Sequence, residues 1–424
     1  MIQKYFLVNT ILILMMRKIL SKNLYSIVFV CFGFIYLFAY PMGTHDSYWV
    51  LPTGFSILKE FNLDLNEFEI YGLKESYAVI DVNGKFFNYF PYGLTFLILP
   101  LIVILKLFVS EFSLFAYYKH LEMVIASFLV ICSIFFLYQT FKFYISKFWS
   151  AILLIPIGLG SSYLTTASRA LWPHSGSVFL LSLVIYLLVY SIKRKKKFIP
   201  LIGFLLVFSY IIRPTNVIPL VFISLFILFY FKNMRIQYLL VVSLSFLIFM
   251  LFNIYIFNAY LPPYYQSARL SIEPDLLTTA FLGNLFSPNR GFLIWSPIFV
   301  LGILSIFSEK RDKPIFFLFS LIIGIHLIII STFPHWWGGH SVGPRFLTDM
   351  IPFAGFLLCI SLKVFKRNPV YRIVFFTLLI FSVTIHMSAA FSEQTQFWNI
   401  RGGNVDQFPE RIWDWNKPQF FPFE

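Results

Sequence analysis

Residues 174–231 read HSGSVFLLSLVIYLLVYSIKRKKKFIPLIGFLLVFSYIIRPTNVIPLVFISLFILFYF. Three apolar runs, free of Asp and Glu, are separated by the cationic Lys193–Lys197 and by Arg213-Pro214-Thr215-Asn216. Runs of this length and uniform hydrophobicity suit a hydrocarbon layer, and the polar punctuation marks where the chain turns back. The positive-inside rule puts Lys193–Lys197 in the cytoplasm. An all-α polytopic membrane protein is the fold class that follows.

The same pattern extends both ways. Spans are predicted at roughly 24–40, 121–141, 150–166, 174–191, 198–212, 215–231, 236–257, 291–307, 314–332, 349–364 and 370–389. Of the 424 residues 59% are hydrophobic and 12% charged, about half the charge of an ordinary soluble domain. The 55 Phe suit lipid-facing helices with ring-rich ends. Cys31, Cys132 and Cys359 all sit within apolar runs, too far apart for a metal motif and too deep for a disulfide. The net charge of +14 is scattered over helix ends, which indicates topology and excludes a nucleic-acid patch.

Leu94 to Val109 is the ambiguous apolar stretch. Counting spans from Lys193–Lys197 puts Lys142/Lys147, Lys232/Arg235, Lys310/Arg311/Lys313 and Lys363/Lys366/Arg367/Arg372 inside. Arg17, Lys18 and Lys22 also belong inside, and both demands are met only if 94–109 does not cross. It is read as a re-entrant or interfacial element broken at Pro100, with both ends outside. The inner segments then hold 19 of the 33 Lys and Arg but only two of the 19 acids, Glu309 and Asp312. Eleven spans result, with the N-terminus in and the C-terminus out. The chain divides into a cytoplasmic or interfacial 1–23, a transmembrane domain 24–389 and an extracytoplasmic tail 390–424. No small-residue cleavage site follows the short apolar run in 1–16, so an interfacial helix is preferred to a secretory signal. Initiation at Met15 or Met16 is a third reading.

The long first outer loop, 41–120, opens with Gly43-Thr44-His45-Asp46-Ser47-Tyr48. An amphipathic stretch containing Trp49, Phe55, Ile57, Leu58 and Phe61 suits the membrane surface. Asn83-Gly84, between apolar runs and just before Lys85, predicts a hairpin. Pro91-Tyr92-Gly93 then leads into 94–109. Four compact segments share this side: 168–175 with Arg169 and His174, Arg213–Asn216, 287–291 with Arg290, and 335–345 with Trp336, Trp337, His340 and Arg345, followed by Asp349. Polar, non-helical backbone at membrane depth survives where it lines a cavity, so one outward-facing cavity holding Asp46 and several arginines is expected. Plainer roles compete. Asp46 would serve as a helix cap, the arginines as snorkelling side chains, the histidines as partners of loop backbone, and the Trp pair as part of an aromatic belt.

These segments resemble the GT-C-fold membrane glycosyltransferases, the group of the protein O-mannosyltransferases and the aminoarabinose transferases of lipid A. The likeness rests on an acid just after the first span, a long first outer loop and the Asn-Gly-Lys hairpin leading to Tyr89-Phe90-Pro91-Tyr92-Gly93. The Leu-Trp-Pro-His, Arg-Pro-Thr-Asn, Asn-Arg-Gly and Trp-Trp-Gly-Gly…Gly-Pro-Arg segments are similar to those of bacterial members. Two departures stand out: His45-Asp46 replaces an acidic pair, and His174 stands where many relatives have an acid. Metal dependence and the sugar stay open for that reason.

The resemblance implies an enzyme of the bacterial cytoplasmic (inner) membrane with an extracytoplasmic site. Its donor would be a polyprenyl-phosphate sugar, delivered from the membrane lipid, and its acceptor a glycan, lipid or protein. Phosphate departs readily, its second pKa lying near ~6, so one carboxylate suffices as base. Asp46 takes that role, with Arg345, then Arg213 and Lys85, on the donor phosphate. His45, Tyr48, Tyr92, Arg169, His174, Arg290, Trp337 and His340 are expected to line the cavity for sugar or acceptor. No cofactor is required. The rivals are a transporter or flippase, for which no internal repeat is seen, and a polymerase of lipid-linked sugars, whose large Arg-rich loop would come late in the chain.

Overall fold

The computed structural model describes residues 24–194, 198–308, 310 and 312–421. The expectations for 1–23, and for Lys195–Lys197, Glu309, Arg311 and 422–424, fall outside them.

The chain is a helical membrane-type bundle with a single two-stranded sheet among the described residues. Helix α1 covers Leu24–Phe38. The first loop follows with α2 (His45–Tyr48), α3 (Val50–Lys59), β1 (Val79–Val82), β2 (Lys85–Asn88), α4 (Gly93–Lys106) and α5 (Glu111–Ala116). Then come α6 (Tyr118–Phe141), α7 (Lys147–Gly158), α8 (Pro173–Arg194), α9 (Ile199–Ile212), α10 (Val217–Tyr230) and α11 (Arg235–Phe257). The last third holds α12 (Leu277–Phe286), α13 (Phe292–Trp295), a 3-10 helix over Pro297–Phe307, α14 (Lys313–Ile330), α15 (Ile351–Phe365) and α16 (Pro369–Ala390).

Six of the described helices are long and apolar enough to cross a membrane. Five other predicted spans fall on shorter apolar helices, so length alone does not establish eleven crossings. The span expected at 150–166 divides: α7 stops at Gly158 and a π turn covers Tyr163–Ala167. The span expected at 291–307 is α13 followed by the 3-10 helix from Pro297. At ~2.0 Å per residue a 3-10 helix covers more length than an α-helix of equal residue count.

Helix α15 is buried along Ile351–Leu362 and forms the centre, packed by α6, α7, α8, α14 and the 3-10 helix. Helix α11 is its opposite. Only 11% of its apolar window is buried, and Leu240, Leu244, Leu247, Ile248 and Leu251 face outward. So large an exposed apolar face suits a membrane environment.

Asn83 (φ 57°) and Gly84 (φ 78°) make the two-residue turn between β1 and β2, with Val82 opposite Lys85. Both positions need positive φ, the reason Asn-Gly predicts this hairpin. One expectation is corrected. Helix α4 runs through Pro100 without a break, because its Leu94, Ile98 and Ile102 face is buried and packing outweighs one lost backbone bond. Helix α3 buries Val50–Ser56 and packs against α4.

The loop segments gather at one end of the bundle. His174 at the start of α8 and Arg345 before α15 lie there, while Lys193 and Lys363 at the far ends of those helices both pair with Asp312. The tail folds back on the loop end, burying Trp398, Val405 and Ile412 with Trp336 and Trp337.

Candidate functional site

Asp46 lies in the first turn of the four-residue α2, whose N-cap is Thr44 and has no side-chain cap bond. The carboxylate is therefore not a capping group. Its Oδ1 accepts from the Tyr77 hydroxyl at 2.7 Å, and its Oδ2 from Arg345 Nη2 at 2.9 Å. Burial acts to raise the Asp46 pKa, but the Arg345 charge and hydrogen bond, aided by Tyr77 and the Arg269 charge, outweigh it. The carboxyl is held below the usual carboxylate range.

Arg345 is placed by the turn before it. Gly343 has φ 63°, and a Cβ there would come within 2.7 Å of the Trp295 ring, so the turn requires glycine. The guanidinium lies 4.1 Å above the Trp172 ring centroid, and its buried Nε has no hydrogen-bond partner. A planar cation on an indole face, with one donor unused, is suited to an oxyanion.

A second cluster sits beside the first. Asp349 Oδ2 lies 2.8 Å from Arg213 Nε and 3.1 Å from His174 Nδ1, and Arg213 Nη1 lies 2.8 Å from His174 Nε2. Arginine only donates, so His174 Nε2 accepts and its Nδ1–H donates to Asp349, which assigns a neutral imidazole from its neighbours. The rings of Trp172 and His174 meet at 6.5 Å, and Arg213 packs over Phe346, next to Arg345. The two clusters share one wall.

Three residues not singled out from the sequence complete this region. Tyr77 holds Asp46. Tyr264 feels the charges of Arg213, Asp46, Arg345 and Arg269 and packs 5.1 Å from Phe90. The exposed Arg269 lies 5.3 Å from the Tyr77 ring and has no carboxylate partner among the described residues. Asp46 pairs with Arg345 and Asp349 with Arg213, and the Arg269 charge also acts on Asp46.

The remaining expected residues divide. His45 packs 5.7 Å from Tyr77, beside Asp46. Lys85, in the hairpin, is bound to Asp64 of the preceding loop at 3.1 Å. Tyr48 packs among Trp49, Phe115 and Tyr118. Arg169 is buried and donates twice to the Tyr40 carbonyl. Arg290 is a staple: its donors reach Trp337 O, Asn289 O, Gly339 O, Gln419 Oε1 and Asn399 Oδ1, joining the 335–345 loop to the tail. Trp337 Nε1 bonds Asp406 and His340 Nε2 bonds Asn404, both in the tail. No three His, Cys, Asp or Glu side chains converge as a metal set among the described residues.

Tyr92 lines an apolar groove of about 600 Å³ between α4, α9 and α11. Phe204, Phe208, Leu244, Ile248 and Phe252 form its walls, and Pro91 and Pro262 also line it. Phe90, which precedes Pro91 in the chain, packs its ring 5.1 Å from that of Tyr264.

No family model, curated protein or solved structure matches the chain.

Proposed function

We propose that the chain is a membrane glycosyltransferase that moves a sugar from a polyprenyl-phosphate carrier to an acceptor at the extracytoplasmic face. The observation that carries this reading is the Asp46–Arg345 pair on the Trp172 ring, in a protein that also holds an apolar groove of about 600 Å³ suited to lipid chain. The eleven-span topology, the GT-C-like architecture and the inner-membrane location belong to the same proposal.

Asp46 takes the proton of the acceptor hydroxyl. The acceptor oxygen bonds to the anomeric carbon from the face opposite the phosphate, and the bond from that carbon to the phosphate oxygen breaks. The electron pair leaves with polyprenyl phosphate, and the anomeric centre inverts. Arg345, with Arg213 and Arg269 as further cations, stabilises the growing phosphate charge, while Lys85, expected beside them, is paired with Asp64. In the resting protein Arg345 weakens Asp46 as a base. An arriving phosphate competes for the same guanidinium, so donor binding restores the basicity of Asp46 before the acceptor reacts.

The reading is tested by the release of undecaprenyl phosphate from a panel of undecaprenyl-phosphate hexoses and pentoses, in membranes containing wild-type or Asp46→Asn protein. A transporter moves the same lipids without releasing the carrier, which separates the main rival.

A further inference from the structure

Glu122 lies near the start of α6 and is fully buried. Its Oε2 accepts from two directions: the Ser47 hydroxyl at 2.6 Å and the Leu171 backbone N–H at 3.2 Å. Its Oε1 is buried without a partner. Ser47 follows Asp46 in α2, and Leu171 precedes Trp172, the ring beneath Arg345. One carboxylate oxygen therefore ties the segment bearing the general base to the segment supporting the phosphate cation.

The surroundings make this tie specific. The Ser47 hydroxyl also meets Thr44 Oγ1 at 2.8 Å, a contact in which either oxygen can donate. Ser127, one turn further along α6, donates to Ser168 O at 3.0 Å, so α6 holds the 168–172 segment at two points. A buried acid with one unpartnered oxygen is unfavourable for stability by itself. It earns its place only if what it orients matters.

We propose that Glu122 is a positioning residue that sets the Asp46–Arg345 spacing by holding Ser47 and Leu171 on one oxygen. Its substrate-level role rests on the transfer reading above, but the spacing itself does not. Glutamine retains an acceptor oxygen for both donors. Alanine removes it and leaves the Ser47 hydroxyl and the Leu171 N–H unpaired.

The test is a double-mutant cycle on the full-length protein, read first by thermal unfolding without substrate. The wild type, Glu122→Gln, Glu122→Ala, Asp46→Asn and the double variants Glu122→Gln/Asp46→Asn and Glu122→Ala/Asp46→Asn are compared. Glu122→Gln keeps the wild-type midpoint and the full Asp46→Asn shift. In the Glu122→Ala background the Asp46→Asn shift falls by more than half, because the pair is already misaligned. Equal Asp46→Asn shifts in both backgrounds overturn the proposal. Should Glu122→Ala fail to fold, Ser47→Ala takes its place in the cycle with the same two outcomes. Binding of undecaprenyl phosphate to the same proteins reads the other question. Absence of binding to wild type defeats the lipid-carrier reading and leaves the thermal result standing on its own.

Discussion

Arg345 Nη2 donates to Asp46 Oδ2 at 2.9 Å, across 299 positions of sequence. The contact joins the proposed base to the proposed phosphate cation, so each controls the other's availability. The sign of the pH effect follows. In the free protein the Asp46 pKa is lowered, so the carboxylate stays charged to below the ordinary value of about 3.9. The acid limb of kcat/KM therefore lies below that value. Removing Arg345 takes away the largest influence opposing burial, leaving only Tyr77 and Arg269, and in Arg345→Gln the limb moves to higher pH. Any stability that Asp46 adds is present above its unfolded pKa and is lost as pH falls through the lower folded pKa. Superimposable limbs in the two proteins would show that the pair does not govern the reaction.

The identity of the cation matters separately from its charge. Arg345 lies over Trp172 with a spare Nε donor, and lysine has no guanidinium to offer both. Undecaprenyl-phosphate affinity is expected to fall most in Arg345→Ala and partly in Arg345→Lys. Dissociation constants equal to wild type in both variants would remove Arg345 from the phosphate site.

Asp349 should matter for folding more than for turnover. It is fully buried between Arg213 and His174, and removing one partner of a buried ion pair costs about 3–5 kcal/mol. Asp349→Ala is expected to lower the unfolding midpoint strongly. A midpoint unchanged from wild type would mean that the Arg213 charge is balanced some other way.

Sidedness is open to direct chemistry. Phe112 is exposed at the loop end of the bundle, whereas Lys195 lies in the basic segment beyond α8. Membrane-impermeant thiol reagents applied from outside should label Phe112→Cys and spare Lys195→Cys. The reverse pattern would invert the topology and place the Asp46 cavity in the cytoplasm.

The sequence was most legible where the deciding interaction is local. Asn83-Gly84 carries its own turn, and the 174–191 run lies within α8 because uniform hydrophobicity needs no distant partner. Legibility failed where the partner lies far along the chain. The π turn at Tyr163–Ala167 places Thr165 3.0 Å from His386, a relationship no local pattern encodes. Arg290 carried the same surface signal as Arg345, yet its donors are consumed by the tail, which only the fold reveals. Glu122 was hidden within an apolar run because Ser47 and Leu171 reach it from other segments. Its lone acidic charge inside a predicted span was the one available signal. Tyr77, Tyr264 and Arg269 belong to loops whose convergence on Asp46 has no counterpart in spacing.

The most direct measurement is carrier release by Asp46→Asn in membranes at wild-type protein levels. Asparagine keeps the size of the side chain and an acceptor for Tyr77, but it cannot take a proton. A positioned general base contributes about 10²–10⁴-fold. The account predicts a loss in that range, with the protein folded and undecaprenyl phosphate still bound. Turnover within a few-fold of wild type would contradict it and leave the Asp46–Arg345 pair as a structural contact alone.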